Sequence, residues 1–206
     1  MSEADFLRAR NVSRETLERL RQYEALLRRW NPAINLVARS TLDQIWSRHF
    51  LDSTQLFDLA GSGWAHWADL GSGGGFPGLV VAVLVAEMDP GASVTLIESD
   101  QRKAAFLMAA AREIGVTVTV RTDRVESTPP QAADILTARA LAPLDKLLAF
   151  SDRHLTPTGT ALFPKGANHA AELQQALESW RFSYEETPST TDPQAVVFSI
   201  KGISRV

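Results

Sequence analysis

With 206 residues, 45% of them hydrophobic, and a net charge of -3, the chain has enough apolar material for one full core and no bulk positive charge to announce a nucleic-acid partner. It contains no cysteine, which excludes disulfides, thiolate metal sites and cysteine nucleophiles and suits a reducing cytoplasm. No apolar signal core opens the sequence and no run approaches the roughly 20 apolar residues of a membrane span, so the expectation is a soluble, monomeric, intracellular protein.

Leu17, Leu20, Tyr23, Leu27 and Trp30 follow helical spacing and predict an N-terminal helix that stops at Asn31-Pro32. Arg14, Arg21 and Arg28 recur every seventh residue and share one face of it. That face has two readings: a solvated surface balanced by Glu15, Glu18 and Glu24, or a set of planar forks for RNA phosphates. A second helix, capped by Ser40 or Thr41, carries Leu42, Ile45, Trp46, His49 and Phe50 and runs to about Leu59, where Gly61-Ser-Gly63 breaks it. Between Trp46 and Phe50, His49 reads as a hydrogen-bonded core or boundary residue, and Asp52, on the same face, can orient its ring.

Residues 61–206 then alternate apolar strands and helices. Strands are predicted at 64–70, 93–97, 116–120, 135–138 and 160–163, an order that demands a parallel sheet with helices on both faces. Two last strands, 183–187 and 195–201, flank a Thr191-Asp-Pro193 turn and give the sheet an antiparallel end. The expectation is one domain over 1–206: a helical extension over 1–60 and a seven-stranded, mostly parallel α/β core.

The stretch Asp69-Leu-Gly-Ser-Gly-Gly-Gly-Phe-Pro-Gly78 joins the first strand to the next helix through a tight glycine turn. Glu98, at the tip of the second strand, stands where a carboxylate takes both hydroxyls of a ribose, so turn and acid together specify a nucleoside cofactor. Gly73, Gly75 and Gly78 satisfy dinucleotide spacing, and both a nicotinamide dinucleotide and S-adenosylmethionine remain open. Asp69 favours the methyl donor, because a carboxylate there would repel a pyrophosphate but could hold a methionine ammonium. Pro77 points the same way, since it removes one amide from the helix start. Further polar residues follow the later strands: Asp123 to Glu126 after the third, Arg139 after the fourth, Lys165-Gly166 after the fifth.

Asn35-Leu36, Arg48-His-Phe-Leu-Asp-Ser53, the glycine turn, Arg102-Lys-Ala-Ala-Phe-Leu107, Arg124-Val-Glu126, Arg139-Ala140 and Lys165-Gly166 occur in the order and spacing of one bacterial family. From about Asn31 to Gly166 the chain resembles the small-subunit ribosomal RNA guanine-N7 methyltransferase G family, also called glucose-inhibited division protein B. The resemblance implies a Rossmann-like class I methyltransferase fold, S-adenosylmethionine as donor, and 16S ribosomal RNA of the small subunit as partner. It implies cofactor contacts at Gly71, Phe76, Val125, Glu126 and Arg139, joining Asp69, Gly73 and Glu98. Arg139 and Lys165 are expected to reach the RNA substrate, with Lys165 acting mainly there.

No catalytic base is expected, because guanine N7 carries an exposed lone pair and needs no deprotonation; positioning dominates. Thr128-Pro-Pro-Gln131 lacks the acid or amide and the aromatic of the element expected for exocyclic amine methylation. The alternatives are a methyltransferase acting on a small molecule or protein and, further off, a dinucleotide-dependent oxidoreductase.

Overall fold

A computed structural model describes residues 3–206. The N-terminal part begins with a short helix, α1 (Glu3–Ala9), which no sequence pattern announced, followed by α2 (Arg14–Ile34), capped by Ser13 through its hydroxyl on the Thr16 amide. α2 runs past the expected stop with Pro32 inside its last turn. It ends where Asn35 turns left-handed (φ 48°) and donates its amide to the Asn31 carbonyl, while the Asn31 side chain accepts from Val37. The second expected helix is three segments instead: a 3-10 stretch (Arg39–Gln44), a π-helical stretch (Ile45–Leu51) and α3 (Asp52–Ala60). Residue spacing does not distinguish these windings. Here a side chain from the sheet captures the Arg48 carbonyl, and π segments are tolerated where such tertiary bonds hold them.

The core alternates as expected: β1 (His66–Leu70), α4 (Gly78–Met88), β2 (Ser93–Ile97), α5 (Gln101–Glu113), β3 (Thr119–Arg121), β4 (Ala133–Ala138), α6 (Leu144–His154), β5 (Leu155–Lys165), α7 (His169–Ser179), β6 (Trp180–Pro188) and β7 (Val196–Arg205). The seven strands lie in the order β3-β2-β1-β4-β5-β7-β6. β1 to β5 pair in parallel, and β7 inserts antiparallel between β5 and β6. β3 starts three residues later than expected. β5 is far longer and ends on Lys165, so that residue is the last of a strand and not part of the following loop.

Alternate residues of β1 divide the core. Trp67 joins the cluster formed with α2, α4 and α5, whereas Ala68 and Leu70 join the one under α6 and α7. Leu79 to Val85 of α4 are all buried, as befits a helix covered on both sides. α2 contributes more than packing: Tyr23, wholly buried, stacks on Phe76 (centroids 5.4 Å apart) and donates its hydroxyl to the Gly74 carbonyl in the glycine turn. The Leu36 carbonyl presses on the same turn, 3.0 Å from where a Cβ on Gly74 would sit. The helical extension therefore clamps the turn from outside. Tyr23→Phe should cost about 1–3 kcal/mol in urea unfolding with an unchanged m-value, because a buried carbonyl loses its partner. A change below about 0.5 kcal/mol would show that the clamp contributes nothing.

Candidate functional site

The strand order reverses between β1 and β4, and the crevice at their carboxyl ends is where a doubly wound sheet takes its ligand. The glycine turn begins there, with Gly71 (φ 65°) and Gly73 (φ 55°) both left-handed. The Gly71 and Ser72 amides donate to the Ile97 carbonyl at 2.8 and 3.1 Å, which hangs the turn from the end of β2.

Five of the expected residues, Gly71, Gly73, Glu98, Val125 and Glu126, line a single cavity of about 340 Å³. Glu98 is its organising acid. One carboxylate oxygen accepts the Gly73 amide and the other the Asp100 amide, each at 2.8 Å. A carboxylate has about four lone-pair positions, so two remain for a pair of ligand hydroxyls. Glu126 is exposed and pairs with Lys146 at 3.2 Å across the mouth. Leu141 packs over the turn: its methyl lies 2.6 Å from where a Cβ on Gly71 would be, and the left-handed φ of 65° there favours glycine. Sequence reasoning missed Leu141, because an apolar residue in a loop carries no signal of its neighbour.

Asp69 is not in this cavity, which corrects its expected role. Alternation along β1 turns its side chain to the α4 face, where it is fully buried. One oxygen accepts the Thr137 hydroxyl at 2.8 Å and the other the Gly78 amide at 3.2 Å, and Thr137 in turn accepts from the Trp67 indole at 3.0 Å. The carboxylate thus occupies the N-terminus of α4. Nearby amides are also spent: Leu79 donates to the Gly75 carbonyl, Gly75 and Phe76 donate to the Ser72 carbonyl, and Pro77 has none. A pyrophosphate would find the Gly75, Phe76, Gly78 and Leu79 amides already taken.

Phe76 is likewise withdrawn from the cavity, 3% exposed between Tyr23 and the His49 ring, whose centroid is 4.7 Å away. Arg139 lies over the Phe76 ring at 5.1 Å and is fastened to the π segment. It donates to the Arg48 carbonyl at 3.1 Å and to His49 Nδ1 at 2.9 Å, and meets the Asp52 carboxylate at 3.3 Å. Since Arg139 can only donate, Nδ1 is the acceptor and the His49 proton sits on Nε2, directed to the Thr41 hydroxyl at 3.0 Å. Asp52 therefore does not orient the imidazole as expected; Arg139 stands between them.

Arg139 and Lys165 line a second, larger cleft of about 530 Å³, which shares only Ala140, Leu141 and Ala142 with the first. Lys165 is 9% exposed, with its ammonium spent on the Ala142 carbonyl and on Glu172, both at 2.8 Å. Lys165 thus braces the Ala140–Ala142 segment that both cavities share, while lining the larger cleft. On the arginine face, Arg21 pairs with Glu3 and Glu18, and Arg28 with Glu24 and Asp43, exposed ion pairs of the kind that contribute little to stability.

Burial leaves two opposed titrations. It pushes the Asp69 carboxyl up to about 6, against the favourable bonds from Thr137 and Gly78. It pushes the His49 imidazole down to about 3, helped by the charges of Arg139 and Arg48. Between roughly pH 4 and 6 the folded protein holds the Asp69 proton that the unfolded chain releases, so this term weakens stability as pH rises through that range. Over the same range the unfolded chain protonates His49 and the folded protein does not, so that term strengthens stability as pH rises. Relative to wild type, Asp69→Asn should make the slope of unfolding free energy against pH more positive and His49→Gln more negative, each by up to about 1.4 kcal/mol per pH unit. Chemical unfolding at several pH values measures both, and slopes that move together would contradict the assignment.

The family described as "GidB: rRNA small subunit methyltransferase G" matches residues 16–196. A protein of Ruegeria sp. (strain TM1040) named "Ribosomal RNA small subunit methyltransferase G" is 56% identical over 196 residues, 95% of each chain. One of that name from Rhodospirillum centenum is 54% identical over 200 residues, 97% of this chain and 90% of the other. Among solved structures, a TehB-like SAM-dependent methyltransferase from Corynebacterium glutamicum superposes with a TM-score of 0.59 at 16% identity, covering 89% of this chain and 99% of that one. The 16S rRNA methylase RmtB gives 0.57 at 20% identity, over 90% of this chain and 74% of its own. These likenesses bear on the fold, a seven-stranded methyltransferase sheet. With the family matched over most of its length, the chain belongs to the rRNA small subunit methyltransferase G family.

Proposed function

We propose that the protein transfers a methyl group from S-adenosylmethionine to N7 of one guanine in 16S ribosomal RNA. The observation that carries the donor is the division of labour between two carboxylates. Asp69 seals the helix start that a dinucleotide's pyrophosphate would need, while Glu98 keeps acceptor capacity facing the cavity for ribose hydroxyls. The same feature argues against the oxidoreductase alternative. The family match and the names of the relatives support the ribosomal substrate.

The donor, when bound, supplies an activated methyl on a sulfonium. What the chain contributes is position. The turn amides hang from Ile97, Glu98 fixes Gly73 and takes the ribose, and Val125, 7% exposed, offers an apolar wall to the adenine. Ala140–Ala142, held by Lys165, line both cavities, so a base in the larger cleft can meet the donor's methyl where the two adjoin. His49 is no base for the reaction, since burial and Arg139 keep it neutral with its proton committed to Thr41. A nucleophile that already carries its lone pair needs none. The shared core of the helical extension and the sheet supports reading the chain as one domain. Exposed large apolar residues lie on separate elements among the described residues, which supports a monomer. No described helix is long and apolar enough to cross a membrane, and the absence of cysteine is consistent with the cytoplasm, where ribosomes are modified.

Labelled methyl transfer to small subunits, to naked RNA and to cell metabolites, followed by mapping of the modified nucleotide, tests this reading. Label confined to one guanine of 16S RNA is expected; label in metabolites or protein alone would contradict it. Two variants tie the activity to the cavity. Glu98→Ala should weaken S-adenosylhomocysteine by about 1.5–3 kcal/mol through the loss of charge-assisted bonds. Gly73→Val, which meets no protein atom closer than 3.8 Å at its Cβ but projects a branched side chain from a left-handed backbone, should abolish binding. Unchanged calorimetric affinity in both would remove the donor from this cavity.

A further inference from the structure

The larger cleft is built partly by a segment distant in sequence from the glycine turn. The β5–β7 register pairs Lys165 with Val196, which brings the β6–β7 connection, Ser189 to Ala195, beside the end of β5. Its tip is then tied down. Gln55 accepts the Thr190 amide at 3.1 Å, Asp52 accepts the Thr191 hydroxyl at 2.8 Å, and Asp192 meets Arg48 at 3.1 Å. These bonds fasten a C-terminal hairpin to the π segment and α3, and none serves the donor cavity.

Three carboxylates line the cleft, and their bonding distinguishes them. Asp52 is 14% exposed, with one oxygen taken by Gln55 and Thr191 and the other by Arg139. Glu172, 28% exposed, accepts the Leu144 amide and Lys165 on the same oxygen, so its remaining acceptor sites lie on the other oxygen alone. Asp192 is the most exposed of the three, at 36%, and is held in place by Arg48 on one oxygen and by the Gln194 amide at 3.0 Å on the other, so that a lone pair is left on each. A positioned carboxylate with one free acceptor site per oxygen matches two adjacent N–H donors. Guanine presents that pair as N1–H and the 2-amino group, on the edge opposite N7. A guanine that turns N7 toward the Ala140–Ala142 wall turns this edge away from the donor cavity, which the hairpin does not line.

We propose that Asp192, presented by the β6–β7 hairpin, reads the Watson–Crick edge of the target guanine and is a specificity-determining residue of the reaction. Adenine, with an acceptor at N1, would set its lone pair against the carboxylate and be rejected. Reading an extruded base on this edge is a general strategy of enzymes that act on single bases. The inference rests on the proposed methylation of guanine N7 in small-subunit RNA.

The test compares small subunits reconstituted with RNA carrying either guanine or inosine at the mapped target, since inosine lacks only the 2-amino group. For wild type, inosine should lower kcat/KM by about tenfold, the loss of one charge-assisted bond. Asp192→Asn should lower kcat/KM on guanine by at least about tenfold and discriminate against inosine by less than about threefold, with S-adenosylhomocysteine affinity within about twofold of wild type. Arg48→Gln removes the same ion pair but leaves the carboxylate, and should retain most of the inosine penalty. A wild-type enzyme indifferent to inosine, or an Asp192→Asn enzyme with the full penalty, overturns the inference. Wild-type enzyme that methylates neither subunits nor RNA overturns the functional reading and this inference with it.

Discussion

The buried carboxylate of Asp69 is the constraint on which the ligand edge depends. It joins β1 to β4 through Thr137 and to α4 through the Gly78 amide, so the three elements that meet at the strand-order reversal share one hydrogen-bonded group. Removing a carboxylate from water is costly, and its raised pKa is the sign of that cost. The return is geometric. With the helix start satisfied from within, the turn can be shaped for a ligand that brings hydroxyls and an adenine, with no phosphate to neutralise.

A second knot, around Arg139, joins the helical extension to the sheet. Its fork reaches the Arg48 carbonyl, the His49 ring and the Asp52 carboxylate, and its plane lies over Phe76, which Tyr23 supports from the other side. Lysine lacks the planar fork that donates from two nitrogens while lying over an aromatic ring. The π winding of Ile45–Leu51 is thereby explained: it presents a carbonyl and a ring nitrogen to one guanidinium. Asp52 passes the connection on to Thr191, so donor edge, extension and C-terminal hairpin form one bonded frame around the larger cleft.

Much of this was legible in the chain. The alternation of elements gave the parallel sheet and its antiparallel end, and the glycine turn with Glu98 located the cavity, because strand tips and left-handed glycines leave direct marks in sequence. Side-chain direction was harder. Asp69 looked like a ligand contact because it precedes the turn, yet the strand's own alternation sends it to the α4 face with Trp67, a signal that was present and unused. Lys165, expected just beyond the fifth strand, is its last residue, because β5 extends past the apolar run at both ends. The bond to the π segment, Leu141 over Gly71 and the hairpin at the cleft are contacts between residues roughly 70 to 140 positions apart, which no local pattern encodes.

Donor and target base occupy adjoining cavities that meet along Ala140–Ala142. A crystal structure of the protein with S-adenosylhomocysteine tests it most directly. The account predicts the ribose on Glu98, the adenine against Val125, and the sulfur beside the Ala140–Ala142 wall facing the larger cleft. A ligand with its ribose away from Glu98, or with its sulfur directed away from that wall, would contradict it.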